Sequence, residues 1–294
     1  MKRVVDITRA RLDRMPLPSA DADSDKNSRG RVLAIGGCAK VPGAMLLSGV
    51  AALRAGAGKL QLATVASVSQ VLGIAVPESL VLPLNADRAG EISGRGLSAL
   101  KQMLAESDAV LIGPGVSSVR AASALIRAAV KHVSTDCVLV LDAGAIAALA
   151  RIGRLGRGLR GRVIITPHVG EMATLLGVPP KEVADDPRAA AEQAAGRFGV
   201  VAVLKGSESW IADPDARIMR YSSGDVGLAT SGSGDTLAGI VTGLAARGAD
   251  PMRAAAWGVY LHGAAGKALA RKMGPTGYLA RELLDEIPRV MWKR

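Results

Sequence analysis

Aromatic side chains are scarce in this sequence, which has one Phe, three Tyr and three Trp among 294 residues. Proteins that hold single-stranded nucleic acid combine basic grooves with aromatic side chains on which the bases stack. The single dense basic cluster, "RIGRLGRGLR" at 151–160, contains no aromatic residue. The formal net charge of +11 still favours an anionic partner. We therefore expect a small phosphorylated ligand such as a nucleotide, and no nucleic acid.

Cysteines and long apolar runs are scarce as well. Cys38 and Cys137 are the only two cysteines and lie far apart, which argues against a disulfide framework or a zinc site and predicts reduced thiols. The start "MKRVVDITRARLDRMPLP" lacks the apolar stretch of a signal peptide, and no apolar run reaches the roughly 20 residues of a membrane span. These absences predict a cytoplasmic protein with no membrane partner.

Aliphatic residues dominate the remainder, since 49% of the chain is hydrophobic. A core of Ala, Val, Leu and Ile suits helices packed closely over a parallel sheet. Residues 1–30 are mixed and polar, and "SADADSDKNSRG" at 19–30 has the composition of a loop or mobile arm. We predict an N-terminal arm or extension over 1–30 and a single domain over 31–294.

Short apolar runs alternate with helical segments along this domain. The predicted strands are "RVLAIGG", "KLQLATV", "AVLIGPG", "CVLVLDAG", "RVIITP" and "VVAVLKG", and most are separated by segments such as "VRAASALIRAAVKHV". After residue 235 the pattern is helical almost to the end of the chain. This alternation predicts an α/β fold with a central, mostly parallel sheet and helices on both faces.

Chemically notable residues follow the predicted strands. In an open α/β sheet, ligands bind beyond the carboxyl ends of the strands. The residues at those ends are Gly36, Gly37, Gly113, Gly115, Asp142, His168 and Lys205. A glycine after a strand is often only a turn, but the convergence of several such ends predicts a ligand site at this edge of the sheet.

The stretch "ATSGSGDTLAGI" at 229–240 places one carboxylate in a loop of small residues before an apolar helix. Without bulky Cβ groups, backbone N–H groups can face outward, and the helix start near Thr236 adds its positive dipole end, so the loop predicts an anion cradle. Asp235 could accept the proton of a hydroxyl that attacks a phosphoryl group. It could instead simply cap the helix. The helix dipole should depress the pKa of Asp235 and favour a mainly orienting role.

Six segments together resemble a known family. They are "GGCAKVPGAMLLSGVAALRAGAGKLQLAT", "IGPGVSS", "VLDAGAIAALA", "TPHVGEMATLLG", "VLKGSESWIAD" and "GLATSGSGDTLAGIVTGL". Their order and spacing resemble the NAD(P)H-hydrate dehydratases, a ribokinase-like family, over roughly residues 30 to 290. General sugar kinases share the GxGD-type loop but lack the TPHxGE and PGA stretches in this arrangement.

The resemblance implies a metabolite-repair lyase with a ribokinase-like fold. Such an enzyme takes the S epimer of hydrated NADH or NADPH, phosphorylates its ring hydroxyl from ADP or ATP, and eliminates phosphate to restore the reduced dinucleotide. Bacterial members use ADP, release AMP and phosphate, and are assisted by Mg²⁺. The likeness also implies a homo-oligomer. Many members carry an epimerase domain, so here we expect any epimerase to be a separate chain.

The resemblance also assigns site residues at the positions that match the family motifs. The hydrated dinucleotide would contact Ala44, Gly115, His168 and Asp235. The nucleotide would contact Lys205, Gly206, Ser207, Glu208, Ser209 and Gly234. Asp235 would be the catalytic carboxylate, and no residue is assigned as a metal ligand.

Each assignment has a simpler structural alternative. His168 could be a loop residue that bonds a backbone group, and Lys205 could be a solvated charge at a strand end. Glu171 fits the first turn of a helix, where its negative charge could merely interact favourably with the helix dipole. His132 and His262 fall on helical segments and receive no chemical role.

Two departures from the family pattern concern phosphate and nucleotide handling. The family has a second aspartate in its "VLDAD" stretch, where this chain has Gly144 and keeps only Asp142. An Asn-Pro pair before the GSGD loop is replaced by Asp225 and Val226. Two other functions therefore stay open: a small-molecule alcohol kinase of the same superfamily, acting on a hydroxyethylthiazole- or pyridoxine-like alcohol, and a nucleotide sensor without catalysis.

Overall fold

The computed structural model describes residues 4–19 and 25–292. Its strands are β1 (Val4–Asp6), β2 (Arg31–Ile35), β3 (Lys59–Val65), β4 (Ser79–Leu84), β5 (Ala109–Ile112), β6 (Val138–Leu141), β7 (Val163–Ile165), β8 (Val201–Leu204), β9 (Ser209–Ala212) and β10 (Ile218–Tyr221). They form one sheet in the order β1-β10-β9-β8-β7-β6-β5-β2-β3-β4. All neighbours are parallel except β9, which runs antiparallel to β8 and β10.

Helices cover both faces of this sheet. They are α1 (Arg9–Leu12), α2 (Gly43–Arg54), α3 (Ala66–Ala75), α4 (Lys101–Glu106), α5 (Val119–His132), α6 (Gly144–Ile152), α7 (Val169–Leu176), α8 (Pro180–Asp185), α9 (Pro187–Phe198), α10 (Ser233–Ala246), α11 (Pro251–Met273) and α12 (Ala280–Trp292). Short 3₁₀ turns lie at Leu97–Leu100, Arg157–Leu159 and Val226–Leu228. The predicted α/β architecture is confirmed.

Residue alternation along β2 shows how the two apolar cores are divided. Val32 and Ala34 pack into the core under α2, α10 and α11, whereas Leu33 and Ile35 pack into the core under α5 and α6. Because successive side chains of a strand point to opposite faces, a strand covered on both sides must be apolar throughout. This explains why the strand sequences read as continuous apolar runs.

The N-terminal segment differs in part from the predicted arm. Val4–Asp6 pairs in parallel with β10 and forms one edge of the sheet. Leu12 is fully buried, and Trp257 on α11 donates a hydrogen bond from Nε1 to the Met15 carbonyl at 2.8 Å. Apolar side chains spaced among charges therefore hold this stretch on the domain. The loop predicted over 19–30 falls partly outside the described residues, and the boundary at residue 30 stays a prediction.

Helix α10 lies directly over the centre of the sheet and packs closely against α2. A Cβ atom on Gly239 would lie 2.1 Å from the Ser48 carbonyl oxygen, and one on Gly243 would lie 2.4 Å from that of Ala52. Glycine is thus required for the two helix backbones to approach each other this closely. This packing sets the position of the loop at the N-terminus of α10. Within the described ranges, no helix is both long and apolar enough to cross a membrane.

Candidate functional site

The predicted convergence of strand ends is present in the structure. Asp142 directly follows β6, and His168 and Lys205 come after β7 and β8. His168 and Lys205 are themselves joined by an isolated parallel bridge. The N-terminus of α10 reaches the same edge, because a Cβ atom on Gly234 would lie 3.2 Å from Lys205 Nζ. The strand ends and the SGSGD loop therefore form one site.

A cavity of about 660 Å³ opens beside this cluster. Six side chains or backbones on its wall belong to the predicted site: His168, Lys205, Gly206, Ser207, Ser209 and Gly234. Its apolar part is formed by Val226, Leu228, Leu237 and Val259. An apolar slot with polar groups at one end suits a ligand that joins a flat ring system to a charged group, such as a nucleotide.

Lys205 is the charged centre of the site. Its Nζ lies 3.3 Å from Asp142 Oδ1 and 3.9 Å from Glu171 Oε2. Asp142 is buried and also accepts a 2.6 Å hydrogen bond from Thr166 Oγ1. Only 21% of the Lys205 side chain is exposed, so the alternative of a solvated charge at a strand end is wrong.

Asp235 is the third residue of α10, which begins at Ser233, three residues earlier than expected. Gly232 occupies the N-cap position, and no side-chain hydrogen bond caps the helix. The capping alternative for Asp235 is therefore wrong. The predicted depression of its pKa is also wrong: burial, the negative charges of Asp142 and Glu171, and only partial compensation by Lys205 raise the pKa of Asp235 to about 6. A carboxylate with this pKa is suited to accept a proton near neutral pH.

His168 has the structural role that its simpler alternative predicted. Its Nδ1 accepts hydrogen bonds from the backbone N–H groups of Gly170 and Glu171. The backbone N–H of His168 in turn donates to Glu171 Oε2 at 2.8 Å. This reciprocal pair is a capping box at the start of α7. The imidazole also lines the cavity, and its contact with the dinucleotide stays a prediction.

Four of the predicted residues are not part of the cavity wall: Ala44, Gly115, Glu208 and Asp235. Ala44 and Gly115 are neighbours, since a Cβ atom on Gly115 would lie 3.2 Å from Ala44 Cβ. Glu208 points to the opposite side of its loop, where Oε1 lies 3.7 Å from Arg220 Nη1. The assignment of the dinucleotide to Ala44 and Gly115, and of the nucleotide to Glu208, stays a prediction.

The two departures from the family pattern have local structural reasons. A Cβ atom on Gly144 would lie 2.2 Å from the Val116 carbonyl oxygen, so this backbone admits only glycine. Asp225 lines the cavity, and its Oδ1 accepts hydrogen bonds from Gly227 N at 3.0 Å and from Tyr278 Oη at 3.2 Å. Two donors therefore stabilise the carboxylate that replaces the family's asparagine.

Two residues have roles in the site that the sequence did not predict. Glu171 faces Lys205 and contributes to the raised pKa of Asp235, beyond answering a helix dipole. His262 lies on α11, lines the cavity, and has its Nε2 2.9 Å from Ser233 Oγ. The sequence places His262 in a long, largely apolar helix. A buried polar ring there requires a hydrogen-bond partner, and this requirement could have indicated its role.

The site supplies carboxylate oxygens where a hard cation could be held. In the described part of the chain, no group of three or more His, Cys, Asp and Glu side chains forms a complete metal cage. Mg²⁺ is commonly held by one or two carboxylates together with waters and substrate phosphates. Asp142 and Glu171, on either side of Lys205, fit that kind of incomplete site.

Known proteins resemble this chain over nearly its whole length. A family model described as NAD(P)H-hydrate dehydratase matches residues 32–289. The ADP-dependent (S)-NAD(P)H-hydrate dehydratase of Xanthomonas campestris is 47% identical over 98% of this chain and 96% of its own length. The bifunctional NAD(P)H-hydrate repair enzyme of Moorella thermoacetica is 40% identical over 95% of this chain, which spans 52% of that longer protein.

A solved structure agrees with these relatives. The ADP/ATP-dependent NAD(P)H-hydrate dehydratase of Bacillus subtilis, co-crystallised with ATP and Mg²⁺, has a TM-score of 0.78 and 33% identity to this chain. The match covers 99% of this chain and 98% of the Bacillus protein. A ribokinase-like superfamily protein of Enterococcus faecalis has a TM-score of 0.85 and 26% identity to this chain, over 98% of this chain and 95% of its own length, so the ribokinase-like fold expected from the sequence is confirmed.

Proposed function

Because this chain belongs to the NAD(P)H-hydrate dehydratase family, we propose that it dehydrates the S form of hydrated NADH or NADPH at the expense of ADP. It is a nucleotide-dependent lyase of ribokinase-like fold. The observation that carries the proposal is the placement of one partly buried carboxylate, Asp235, beside Lys205 and the glycine-rich start of α10. That arrangement fits a hydroxyl that must lose its proton as it attacks a phosphoryl group.

The reaction has two stages in this site. Asp235 accepts the proton of the ring hydroxyl, whose oxygen bonds to the terminal phosphorus of ADP while the bond from that phosphorus to AMP breaks. The ring nitrogen then supplies the electron pair that expels phosphate, and transfer of the neighbouring C–H proton to that phosphate restores the ring double bond. Backbone N–H groups at the start of α10 and the Lys205 ammonium stabilise the charge on the transferred group.

Asp142 and Glu171 are the residues that would hold Mg²⁺ together with the nucleotide phosphates. A bound Mg²⁺ would neutralise phosphate charge. Lys205, whose Nζ lies 3.3 Å from Asp142 Oδ1 and 3.9 Å from Glu171 Oε2, adds a positive charge at the same place. Ser207 and Ser209 on the cavity wall would position the nucleotide, as the family motif implies.

Several further features belong to the same proposal. Hydrated NADH or NADPH would contact His168, Asp235, Ala44 and Gly115, as the family motifs imply. The bifunctional relative joins two repair activities by its name, so we propose that a separate epimerase interconverts the two forms of the substrate. Residence in the cytoplasm and assembly into a homo-oligomer are also part of the proposal.

The test is recovery of the reduced dinucleotide. The purified protein is incubated with hydrated NADH and either ADP or ATP, and the nicotinamide absorbance is followed. We expect recovery with release of AMP and phosphate, and a higher kcat/KM with ADP than with ATP. A stable phosphorylated product, or nucleotide binding without turnover, would refute the dehydratase assignment. An equal or greater kcat/KM with ATP would refute the nucleotide preference alone.

A further inference from the structure

His262 and Ser233 form a hydrogen-bonded pair at the base of the cavity. His262 lies in the middle of α11, and Ser233 is the first residue of α10, two positions before Asp235. The imidazole Nε2 lies 2.9 Å from Ser233 Oγ. Ser233 is 4% exposed, and both residues line the cavity. The pair therefore connects the wall of the cavity to the loop that precedes the catalytic carboxylate.

The direction of this hydrogen bond follows from the chemistry of the ligand. The oxygens of an ionised phosphate accept hydrogen bonds. A serine hydroxyl has one proton, so Ser233 can donate to a phosphate only if its bond with His262 is one that it accepts. Burial and the nearby charge of Lys205 lower the pKa of His262 to about 4, so the ring is neutral at physiological pH. A neutral imidazole has one N–H, and Ser233 Oγ can accept from it only if that proton is on Nε2.

We propose that His262 is a positioning residue for phosphoryl transfer: Nε2–H donates to Ser233 Oγ and thereby turns the Ser233 hydroxyl proton toward the phosphate at the start of α10. The inference rests on the proposed function, because it requires a nucleotide phosphate at this loop. It adds a side-chain donor to the backbone N–H groups of the loop. The donor is oriented before the phosphate arrives, which is the arrangement that favours charge stabilisation in a transition state.

A purely structural pair would behave differently. If the bond only joins α10 to α11, its loss should lower the melting temperature and leave kcat unchanged in the folded protein. If Ser233 donates to the transferred group, substitution of either Ser233 or His262 should lower kcat by about 10- to 100-fold, as expected for one hydrogen bond to a charged group. The two roles are therefore separated by comparing kcat with thermal stability.

The experiment is a double-mutant cycle on the full chain. The kcat at saturating ADP and hydrated NADH, the KM for ADP and the melting temperature are measured for H262L, S233A, the double variant and H262Q. His132→Leu is the control, because His132 ends α5 and is absent from the cavity wall. We expect kcat to fall at least tenfold in H262L and S233A and no further in the double variant. H262Q should retain most activity, since its amide N–H can donate.

Several results would overturn the inference. These are a kcat of H262L within twofold of the unmutated protein, a double variant whose loss equals the product of the two single losses, or equal losses in H262Q and H262L. If H262L does not fold, S233A and H262Q carry the same comparison, since both are small changes. Absence of turnover in the unmutated protein would instead refute the proposed function, so the two failures are distinguishable.

Discussion

Asp235 shows two opposing effects on one carboxyl group. Its place in the first turn of α10 favours a negative charge, because helix N-termini carry partial positive charge. Burial and the carboxylates of Asp142 and Glu171 act in the opposite direction and outweigh the positive charge of Lys205, so that the pKa rises to about 6. The pKa of Asp235 therefore lies near neutral pH, where a general base is most effective.

Asp235→Asn separates catalysis from stability. The amide cannot accept the hydroxyl proton, so we expect kcat to fall by about 10² to 10⁴, the usual effect of a positioned acid or base. Because folding raises the pKa of Asp235 from 3.8 to about 6, ionisation destabilises the native state above pH 6 and has no such effect below about pH 4. The variant should melt at a higher temperature than the unmutated protein at pH 8, with the difference closing toward pH 4.

Calorimetry at both pH values and dinucleotide recovery at pH 8 provide the measurements. ADP affinity should persist, because the backbone N–H groups of the loop are unchanged. Normal turnover in Asp235→Asn would end its assignment as the catalytic base.

The pH dependence of kcat should report the same group. Asp235 must be ionised to accept a proton, so kcat should fall as the pH decreases through about 6. Lys205 lowers this pKa by its positive charge, and Lys205→Met should therefore move the acid limb of the profile to higher pH. We also expect Lys205→Met to bind the nucleotide more weakly. The profiles are therefore recorded at saturating ADP, so that weaker binding does not affect the measured kcat. Lys181→Met is the control, because that side chain is 84% exposed on α8; an unmoved midpoint in Lys205→Met would contradict the prediction.

At the scale of elements, the contact between α10 and α2 determines where the site loop lies. Gly239 and Gly243 lie along this contact and have no side chain. The backbone of α2 therefore occupies the space that a Cβ atom at either position would need. Glycine in a helix interior lowers its intrinsic stability. Here the two glycines allow α10 to lie close to α2, so that its N-terminus reaches the ends of β6 and β8.

Gly239→Ala should disturb both stability and activity. The added Cβ would lie 2.1 Å from the Ser48 carbonyl oxygen, and relief of that clash requires α10 to move, at a cost of about 1–3 kcal/mol. The melting temperature and kcat should both fall. Gly196→Ala on α9 is the matched control, since no atom lies within 4 Å of its Cβ position; it should gain about 0.4–1 kcal/mol. Equal behaviour of the two variants would show that the helix contact is not tight.

At the scale of the whole molecule, the N-terminal segment closes one side of the domain. Arg9 donates hydrogen bonds to the Val290 and Met291 carbonyls, and its guanidinium lies 5.3 Å from the centre of the Trp257 ring. The first described residues are thereby tied to α11 and α12. The contacts stabilise the fold at a distance from the cavity, so their loss should leave the chemistry unaffected.

Leu12→Ala tests this separation. Leu12 is 0% exposed, and its truncation should cost about 2–5 kcal/mol in the free energy of unfolding. Denaturant unfolding measures the loss, and kcat at 25 °C should stay within twofold. Val71→Ala on α3, where the side chain is 70% exposed, should change stability by less than about 0.5 kcal/mol. A large drop in kcat of folded Leu12→Ala would show that the segment also shapes the site.

Much of the fold could be predicted because its signals are local. The runs at 31–35 and 137–141 end at Gly or Asp, and the helical periods between them are clear. The sequence did not predict β1, β4, β9 or β10. Strand β4 lies at the edge of the sheet and pairs with β3 alone, and the other three are short and pair with each other and with β8. Their pairing depends on contacts distant in sequence, which no local pattern contains.

The amino-acid sequence alone determined the α/β class, the family and the loop that holds Asp235, because strand periods, glycines and motif spacing are written in consecutive residues. Only the tertiary structure decided the charge state of the site. Asp142 and Lys205 follow two different strands, Glu171 lies in the first turn of α7, and together they influence the pKa of Asp235. His262 reaches Ser233 across two helices. Electrostatic interactions and hydrogen bonds depend on distances in space and on burial, and folding alone sets both.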